Sequence, residues 1–215
     1  MSGPLFRDRR LAGRRLAELL SGFAGAPNLL VLALPRGGVP VGYEVARALH
    51  APLDVFLVRK LGLPGHEELA MGAIATGGIR VVNAEVVDAM QMPERVLDAV
   101  AEREQHEIER REHAYRGERP PPVIAGHTII LVDDGLATGA TMRAAARAIR
   151  AQAPARLVIA VPVAARSTCD SLAMEADEIV CAETPEPFFA VGLWYEDFSE
   201  TSDQEVRDLL QSTGA

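Results

Sequence analysis

The sequence predicts an α/β fold in which helices flank a mainly parallel sheet. Residues 29–34 and 129–132 are continuous apolar runs without alternation, which is typical of strands buried on both faces. Segments in which apolar residues recur at helical spacing separate such runs. Because strands and helices alternate along the chain, the strands are predicted to lie parallel. A length of 215 residues is enough for one domain with a sizeable core.

The predicted elements follow from apolar periodicity and from the glycines and prolines between periodic segments. In the first half we predict a helix at 5–23, a strand at 29–34, a helix at 41–49, and strands at 53–58, 69–76 and 79–83. After the central strand at 129–132, a helix follows with its apolar face at Met142, Ala145, Ala146 and Ile149. The last predicted elements are a strand at 157–163, a helix at 167–176, a strand at 178–181 and a closing helix at 202–211.

The segment 85–119 differs in character, because it contains ten acidic residues and six arginines. It predicts a short helix, a break at Pro93 and a long solvated helix with a thin apolar stripe. The stripe consists of Leu97, Ala101, Ile108 and Tyr115. Two pairs in the favourable order, Glu107 with Arg111 and Glu112 with Arg116, support the helix. The charges are interpreted as a solvated face without chemistry, which could also pack against a second subunit.

Composition excludes several classes of protein. The net charge of −8 argues against nucleic-acid binding. No apolar run reaches membrane-spanning length, and the N-terminal segment lacks the apolar core of a signal peptide. Cys169 and Cys181 match no metal or redox spacing, so we interpret them as reduced thiols of a cytoplasmic protein.

Two adjacent carboxylates, Asp133 and Asp134, stand where the strand at 129–132 ends. A loop of small residues follows, with Thr138 and Thr141 near the start of the next helix. Ligands of open α/β sheets bind beyond the carboxyl ends of the strands. A helix start offers N–H groups and positive dipole to an anion. The stretch therefore predicts a phosphate site beside two acids, and the alternative is a turn followed by a helix cap.

Three known motifs can be tested against this stretch. A Walker loop requires a lysine that the stretch lacks, and a dinucleotide fingerprint requires three spaced glycines where only Gly135 and Gly139 are present. A phospho-acceptor receiver domain also uses acids at a strand end. It normally places them near its N-terminus, whereas here more than half of the chain comes first.

Residues 129–141 closely resemble the phosphoribosyl pyrophosphate motif of type I phosphoribosyltransferases, in which a buried strand leads into two acids and then Thr-Gly-x-Thr. The resemblance implies that Asp133 and Asp134 hold the ribose hydroxyls. The implied 5-phosphate loop consists of Ala137, Thr138, Gly139, Ala140 and Thr141. Gly135 departs from the usual aliphatic residue. Ala137 replaces an aspartate that family members acting on 6-oxopurines often carry, which disfavours that substrate class.

A second part of the resemblance follows the first core strand, where the chain reads Arg36-Gly37-Gly38. The glycines permit unusual backbone angles and close approach to a ligand, although a plain turn would use them equally well. The family has a pyrophosphate-binding loop at this point, sometimes with Arg-Gly-Gly. The resemblance therefore implies that these three residues bind pyrophosphate, for which the planar fork of arginine is suited.

A basic pair, Arg59 and Lys60, ends the predicted strand at 53–58, and Lys60 is the only lysine of the chain. We expect both side chains to point toward the rim that holds Asp133 and Arg36 and to neutralise the pyrophosphate. The alternative is a solvated charge pair. Residues 61–68 contain two glycines, and the resemblance implies that they form the family's mobile lid, which closes over the substrates.

The resemblance also implies the remaining parts of the protein. The core at about 29–184 is expected to contain a five-stranded sheet, with a helical insertion at about 84–119 and a small hood built from the N-terminal and 185–215 segments. Phe189 and Trp194 are candidates for stacking on the base. Mg²⁺ is the implied cofactor, held mainly through the substrate and by Asp133 and Asp134 as further ligands.

Two functional hypotheses result, both for a cytoplasmic protein that contacts neither nucleic acid nor membrane. The first is an enzyme that transfers ribose 5-phosphate from phosphoribosyl pyrophosphate to a nitrogen acceptor, releasing pyrophosphate; a homodimer fits the family. The second is a non-catalytic sensor of the same donor, or of a nucleotide, that acts on a protein partner. The receiver-domain alternative predicts stable phosphorylation at Asp133 or Asp134.

Overall fold

The computed structural model of the protein describes residues 3–212, apart from the side chains of Glu67 and Glu68. Residues 1, 2 and 213–215 of the predicted domain lie outside the described part. The strands are β1 Leu29–Ala33, β2 Leu53–Val55, β3 Val58–Leu63, β4 His66–Ala75, β5 Ile79–Val82, β6 Thr128–Val132, β7 Arg156–Val163 and β8 Glu178–Glu183. The helices are α1 Arg9–Leu19, α2 Gly38–Leu49, α3 Ala84–Ala89, α4 Glu94–Arg116, α5 Ala140–Arg150, α6 Arg166–Ser171 and α7 Asp203–Ser212.

Five parallel strands form the central sheet in the order β2-β1-β6-β7-β8. The prediction of an α/β fold with a five-stranded parallel sheet is confirmed. β1 and β6 are neighbours although about ninety residues of chain separate them, because the chain runs from β1 to one edge of the sheet before it returns. The strand order therefore reverses between β1 and β6, and this is where ligands of open α/β sheets bind.

Side chains from both faces of the two central strands are buried, which explains their continuous apolar sequence. Val31 and Ile130 pack in one hydrophobic cluster with α1 and α2, whereas Leu32 and Leu131 pack in another with α5. Since successive side chains of a strand point to opposite faces, each strand supplies both clusters. The helices on the two sides hold the carboxyl ends of β1 and β6 in fixed positions.

The predicted strand at 53–58 is wrong, because the chain forms two strands there. β2 ends at Val55, and the chain then leaves the parallel sheet to form β3 of an antiparallel sheet with the order β3-β4-β5. The change of direction is fixed by Thr76, whose backbone N–H donates to the Leu57 carbonyl at 2.9 Å while its hydroxyl accepts from the Leu57 N–H at 2.9 Å. The predicted lid at 61–68 forms the end of the β3–β4 hairpin.

The charged helix α4 is less solvated than its sequence predicts. The predicted break at Pro93 and the apolar stripe are confirmed, and the stripe packs against the second sheet and α7 of the same chain. Both predicted i,i+4 ion pairs are present. However, Glu104 and Arg116 are buried, because each has an ionic partner on β3 or β2 that replaces water.

The two cysteines, which the sequence pattern predicts to be reduced thiols, are joined in a disulfide between α6 and β8. The prediction is wrong because the fold brings together two residues that are twelve positions apart. Within residues 3–212 we find no helix with both the length and the apolar character needed to cross a membrane.

Candidate functional site

The loops that follow β1 and β6 touch one another at the carboxyl edge of the sheet. The Leu34 N–H donates to the Val132 carbonyl at 2.9 Å. A Cβ atom at Gly38 would lie 2.9 Å from that carbonyl oxygen and 3.0 Å from the Cα of Asp133, and a Cβ at Gly37 would lie 2.1 Å from Asp134 Oδ2. Both positions thus require glycine, so that the Arg-Gly-Gly loop can lie directly against the acid pair.

Asp133 and Asp134 are both partly buried at this contact. Burial raises the pKa of Asp133 well above its ordinary value, and the neighbouring charge of Asp134 raises it further. The Asp134 N–H opposes this by donating to Asp133 Oδ1 at 2.9 Å. Burial also raises the pKa of Asp134, although the guanidinium of Arg9 favours its ionised form. Two adjacent carboxyls of this kind are adapted to a ligand that brings its own positive charge or hydroxyl donors.

Arg9 is a functional candidate that the sequence analysis missed. The predicted helix at 5–23 begins later than expected, at Arg9, because Asp8 caps α1 by accepting from the Leu11 N–H at 2.8 Å. From that first helical position Arg9 Nε donates to Asp134 Oδ2 at 2.8 Å. Arg9 is one of several arginines in this helix, and no sequence signal distinguishes it from the others.

The loop between β6 and α5 has the form of an anion site. Gly139 adopts a left-handed conformation with φ 71°, and no described side chain caps the start of α5. The alternative in which Thr138 or Thr141 serves as a helix cap is therefore not observed. Both threonines are exposed. Uncapped N–H groups at a helix start are available to a phosphate.

A residue from α6 supports this loop from behind. The Thr168 hydroxyl donates to the Ala137 carbonyl at 2.6 Å, and a Cβ atom at Gly139 would lie 2.8 Å from Thr168 Cγ2. Thr168 is buried, and it is not among the site residues predicted from the sequence. Its contacts fix the loop in one conformation, so that the N–H groups of the loop are arranged before a ligand binds.

Arg36 lies at the carboxyl end of β1 as predicted, and its guanidinium is held by acids of the C-terminal segment. Its Nη2 donates to Glu200 Oε1, and its Nη1 lies 3.8 Å from Asp203 Oδ1. The side chain is about one-third exposed. Two carboxylates thus contact the Arg36 guanidinium, which the resemblance assigns to pyrophosphate binding.

The predicted basic pair is split between two faces of β3. Arg59 points toward α4, where its Nε donates to Glu104 Oε2 at 2.7 Å. Lys60 points to the opposite face because successive strand residues alternate. Its side chain is exposed and lines a pocket of about 240 Å³ together with Thr138 and Ala140. These two residues belong to the loop at 137–141, called the anion loop below. The expectation that both residues face the same rim is therefore wrong for Arg59, which belongs to the α4 contact.

The two aromatic candidates also differ from one another. Trp194 is only 6% exposed, and the centroid of its ring lies 6.2 Å from that of Phe188. Trp194 therefore belongs to a small hydrophobic core. Phe189 is 75% exposed and keeps a ring face open to solvent. Tyr195, which the sequence analysis did not select, donates its hydroxyl to the Asp134 carbonyl at 2.6 Å. Tyr195 thus supports the acid pair directly.

Gly135, which departs from the family pattern, lies where Val191 and the end of β7 leave no room for a side chain. A Cβ atom there would lie 2.5 Å from Val191 Cγ1 and 3.0 Å from the Val163 carbonyl oxygen. We expect Gly135→Ala to lower the free energy of unfolding by about 1–3 kcal/mol, since overpacking forces neighbours apart. Denaturant unfolding measures the loss.

Val191→Ala provides the matched variant for this prediction. Combined with Gly135→Ala, it is expected to recover more than half of the lost stability, because the nearest clash is removed. Equal losses for Gly135→Ala in both backgrounds would contradict the role of Val191.

The fold and the site together define a class of protein. A partly buried acid pair, a glycine-rich loop with an arginine, and an uncapped helix start meet where the strand order of a parallel sheet reverses. Such a combination is adapted to a ligand that carries both phosphate and hydroxyl groups.

Comparison with known proteins identifies the family. Residues 9–196 match the phosphoribosyl transferase domain family. Two relatives from Mycobacterium tuberculosis, strains CDC 1551 and H37Rv, are each 46% identical to this chain over 206 residues and carry the name "Putative phosphoribosyl transferase". The match covers 96% of this chain and 46% of each relative, so the chain spans about half of their length.

Two solved structures are similar to this chain. The crystal structure of TT1426 from Thermus thermophilus is 42% identical, covers 98% of this chain and 99% of its own, and superposes with a TM-score of 0.87. The AQ2163 protein from Aquifex aeolicus is 12% identical, covers 86% of this chain and 78% of its own, and shares the fold with a TM-score of 0.50. The chain belongs to the phosphoribosyl transferase domain family.

Proposed function

We propose that this chain transfers ribose 5-phosphate from phosphoribosyl pyrophosphate to a nitrogen atom of a small acceptor. The observation that carries the proposal is the contact between the acid pair and the Arg-Gly-Gly loop, beside the uncapped start of α5. A phosphoribosyl donor has ribose hydroxyls, a 5-phosphate and a pyrophosphate, and this site offers a separate group for each. Family membership supports the same assignment.

Each part of the donor has a proposed partner. Asp133 and Asp134 accept from the ribose hydroxyls, and residues 137–141 surround the 5-phosphate with N–H and hydroxyl groups. Arg36 and Lys60 neutralise the pyrophosphate, with Gly37 and Gly38 allowing close approach of the backbone. For Arg36 to do so, its contacts with Glu200 and Asp203 must open.

The reaction breaks the bond between ribose C1 and the pyrophosphate oxygen and forms a bond between C1 and the acceptor nitrogen. The electron pair of the broken bond leaves with pyrophosphate, and positive charge develops on the ribose ring. We therefore assign catalysis to positioning and to electrostatic stabilisation of the leaving group. This makes the proposed enzyme a glycosyltransferase of the pentosyltransferase type.

Magnesium is the proposed cofactor, and the site fits it. The acid pair supplies carboxylate oxygens, which Mg²⁺ prefers, and the described residues contain no cluster of three or more metal-ligating side chains. Asp133 and Asp134 would therefore hold the ion together with oxygens of the donor. When bound, the ion neutralises charge on the pyrophosphate.

The acceptor is proposed only as a class, a small molecule with a nucleophilic nitrogen, most simply a base. Ala137 offers no carboxylate to such a base, which disfavours 6-oxopurines. The exposed ring of Phe189 is the proposed stacking surface, whereas Trp194 is buried against Phe188 and is no longer a candidate. A cytoplasmic location and a homodimer stay predictions from the sequence.

Donor titration and a pyrophosphate-release assay test the proposed function. The chain is expected to bind phosphoribosyl pyrophosphate in calorimetry, more tightly with Mg²⁺, and to bind ribose 5-phosphate less tightly because the pyrophosphate contacts are missing. A screen of nitrogen bases should then reveal donor-dependent release of pyrophosphate. Binding without release from any acceptor would favour the sensor hypothesis, and absence of donor binding with and without bases would contradict both.

The split of the basic pair gives a further expected result. Lys60→Gln should lower kcat/KM for pyrophosphate release about tenfold, since a hydrogen bond to a charged group contributes about 1.5–3 kcal/mol. Arg59→Gln is the matched variant, because Arg59 is the cation next to Lys60 in sequence but contacts Glu104 instead of facing the anion loop. It should change thermal stability but leave donor affinity within about twofold. A larger kinetic loss for Arg59→Gln than for Lys60→Gln would contradict the assignment.

A further inference from the structure

Arg9 connects three parts of the site that are distant in sequence. Its Nε donates to Asp134 Oδ2 at 2.8 Å, and its Nη1 donates to the Ser199 carbonyl at 2.6 Å. Its guanidinium also lies 3.9 Å from the ring centroid of Phe198. The side chain is only 12% exposed. Because the partners lie 125 and 190 positions away, the fold itself fixes the conformation of Arg9.

The same contact fixes the orientation of the Asp134 carboxylate. Oδ2 lies between the Arg9 guanidinium and the backbone of Gly37, where a Cβ atom would be 2.1 Å from Oδ2 and 3.3 Å from Arg9 Nε. The backbone of Asp134 is held as well, because its carbonyl accepts from the Tyr195 hydroxyl. With Oδ2 held in this way, the carboxylate has a fixed orientation and keeps lone pairs that can accept from a ligand hydroxyl.

We propose that Arg9 is a positioning residue that orients Asp134 for a ribose hydroxyl of the donor. The proposal rests on the proposed function, because it assigns Asp134 to that hydroxyl. In this role Arg9 acts through Asp134, while its contacts with the Phe198 ring and the Ser199 carbonyl hold its guanidinium in place. A planar guanidinium suits the task, since one group can donate to a carboxylate and to a carbonyl in fixed directions.

Two other roles for Arg9 make different predictions. Arg9 could contact the donor directly, in which case its removal would weaken binding whether or not Asp134 is a carboxylate. Alternatively, the ion pair could block the carboxylate, in which case removal of Arg9 would tighten donor binding. A double-mutant cycle separates these roles, because residues that act as one unit are non-additive.

The experiment measures the affinity for phosphoribosyl pyrophosphate with Mg²⁺ in wild type, Arg9→Gln, Asp134→Asn and the double variant. Arg9→Gln is expected to weaken binding about tenfold or more, as expected for loss of a charged hydrogen bond. In the Asp134→Asn background the same substitution should change affinity less than about twofold. Equal losses in both backgrounds, or tighter binding by Arg9→Gln, would overturn the proposal.

Control variants separate positioning from loss of charge and from misfolding. Arg7→Gln removes the same charge two positions away on an exposed side chain, and it should bind the donor like wild type. Arg9→Lys keeps the charge without the planar fork, so it should bind more tightly than Arg9→Gln and less tightly than wild type. Circular dichroism at the titration temperature establishes that each variant is folded. If Arg9→Gln does not fold, Arg9→Lys takes its place in the double-mutant cycle. Its effect on affinity should then also fall below about twofold in the Asp134→Asn background.

The outcomes also distinguish this proposal from the proposed function. If wild type binds no donor, the assignment of Asp133 and Asp134 to a phosphoribosyl donor fails, and the role of Arg9 fails with it. If wild type binds the donor and the cycle is additive, the proposed function stands and only the role of Arg9 is overturned.

Discussion

Replacing both acids, as Asp133→Asn with Asp134→Asn, is expected to weaken the binding of phosphoribosyl pyrophosphate at least ~100-fold in the presence of Mg²⁺. Each carboxylate is proposed to accept a hydroxyl hydrogen bond, and a hydrogen bond to a charged group contributes about 1.5–3 kcal/mol. Loss of the two charges also removes the proposed protein ligands of the ion. Calorimetric titration with and without Mg²⁺ measures the effect, and the magnesium dependence should disappear together with the affinity.

Stability provides the control for this prediction. A carboxyl with a raised pKa in the folded state binds a proton more tightly there than in the unfolded chain, so its ionisation at neutral pH lowers the free energy of unfolding. Asp133→Asn alone is therefore expected to unfold at or above the wild-type temperature at pH 7 while it binds the donor less tightly. That combination cannot result from misfolding.

A matched variant removes two acids elsewhere. Glu85→Gln with Asp88→Asn changes the net charge by the same amount on exposed positions of α3, and it should bind the donor like wild type. Equal losses for the two double variants would show that overall charge, and not the acid pair, controls affinity. Unchanged binding by the Asp133 and Asp134 variant would overturn the site assignment itself.

The sequence predicts the centre of the fold better than its edges, for a physical reason. A strand buried on both faces needs apolar residues at every position, so β1 and β6 are visible as uninterrupted runs. The short β2 has no such signature, since its neighbours Phe56 and Leu57 are also apolar although they lie outside the sheet. An apolar run therefore shows that a segment is buried, but not where the chain changes from one sheet to another.

The residues of the candidate site also differ in how well the sequence predicts them. Residues that act through their own backbone, such as Gly37 and Gly139, are part of a local motif and can be identified from spacing. Arg9 and Tyr195 reach Asp134 from opposite ends of the chain, and only the tertiary structure brings them there. The sequence pattern misplaces Arg59 for the same reason, because its ionic partner Glu104 comes from α4.

The buried charge of Arg116 shows what α4 contributes to the fold. Its Nε donates to Asp54 Oδ1 at 2.7 Å, its Nη1 lies 3.0 Å from Glu112 Oε1, and its Nη2 donates to the Val55 carbonyl. One guanidinium thus joins the last turn of α4 to β2, the edge strand of the central sheet. This explains how a strongly charged helix is held against the domain, since its apolar stripe is narrow.

We expect Arg116→Ala to lower the free energy of unfolding by about 3–5 kcal/mol, because removal of the buried guanidinium leaves the partly buried charges of Asp54 and Glu112 without compensation. Denaturant unfolding monitored by circular dichroism measures the loss.

Arg119→Ala is the matched control three positions further on, where the side chain is exposed, and it should change stability by less than about 0.5 kcal/mol. If Arg116→Ala is too unstable to fold, Arg116→Lys should still show a measurable loss, since an ammonium group lacks the fixed fork that reaches all three partners. Equal stabilities for the Arg116 and Arg119 variants would mean that the apolar stripe alone holds α4 in place.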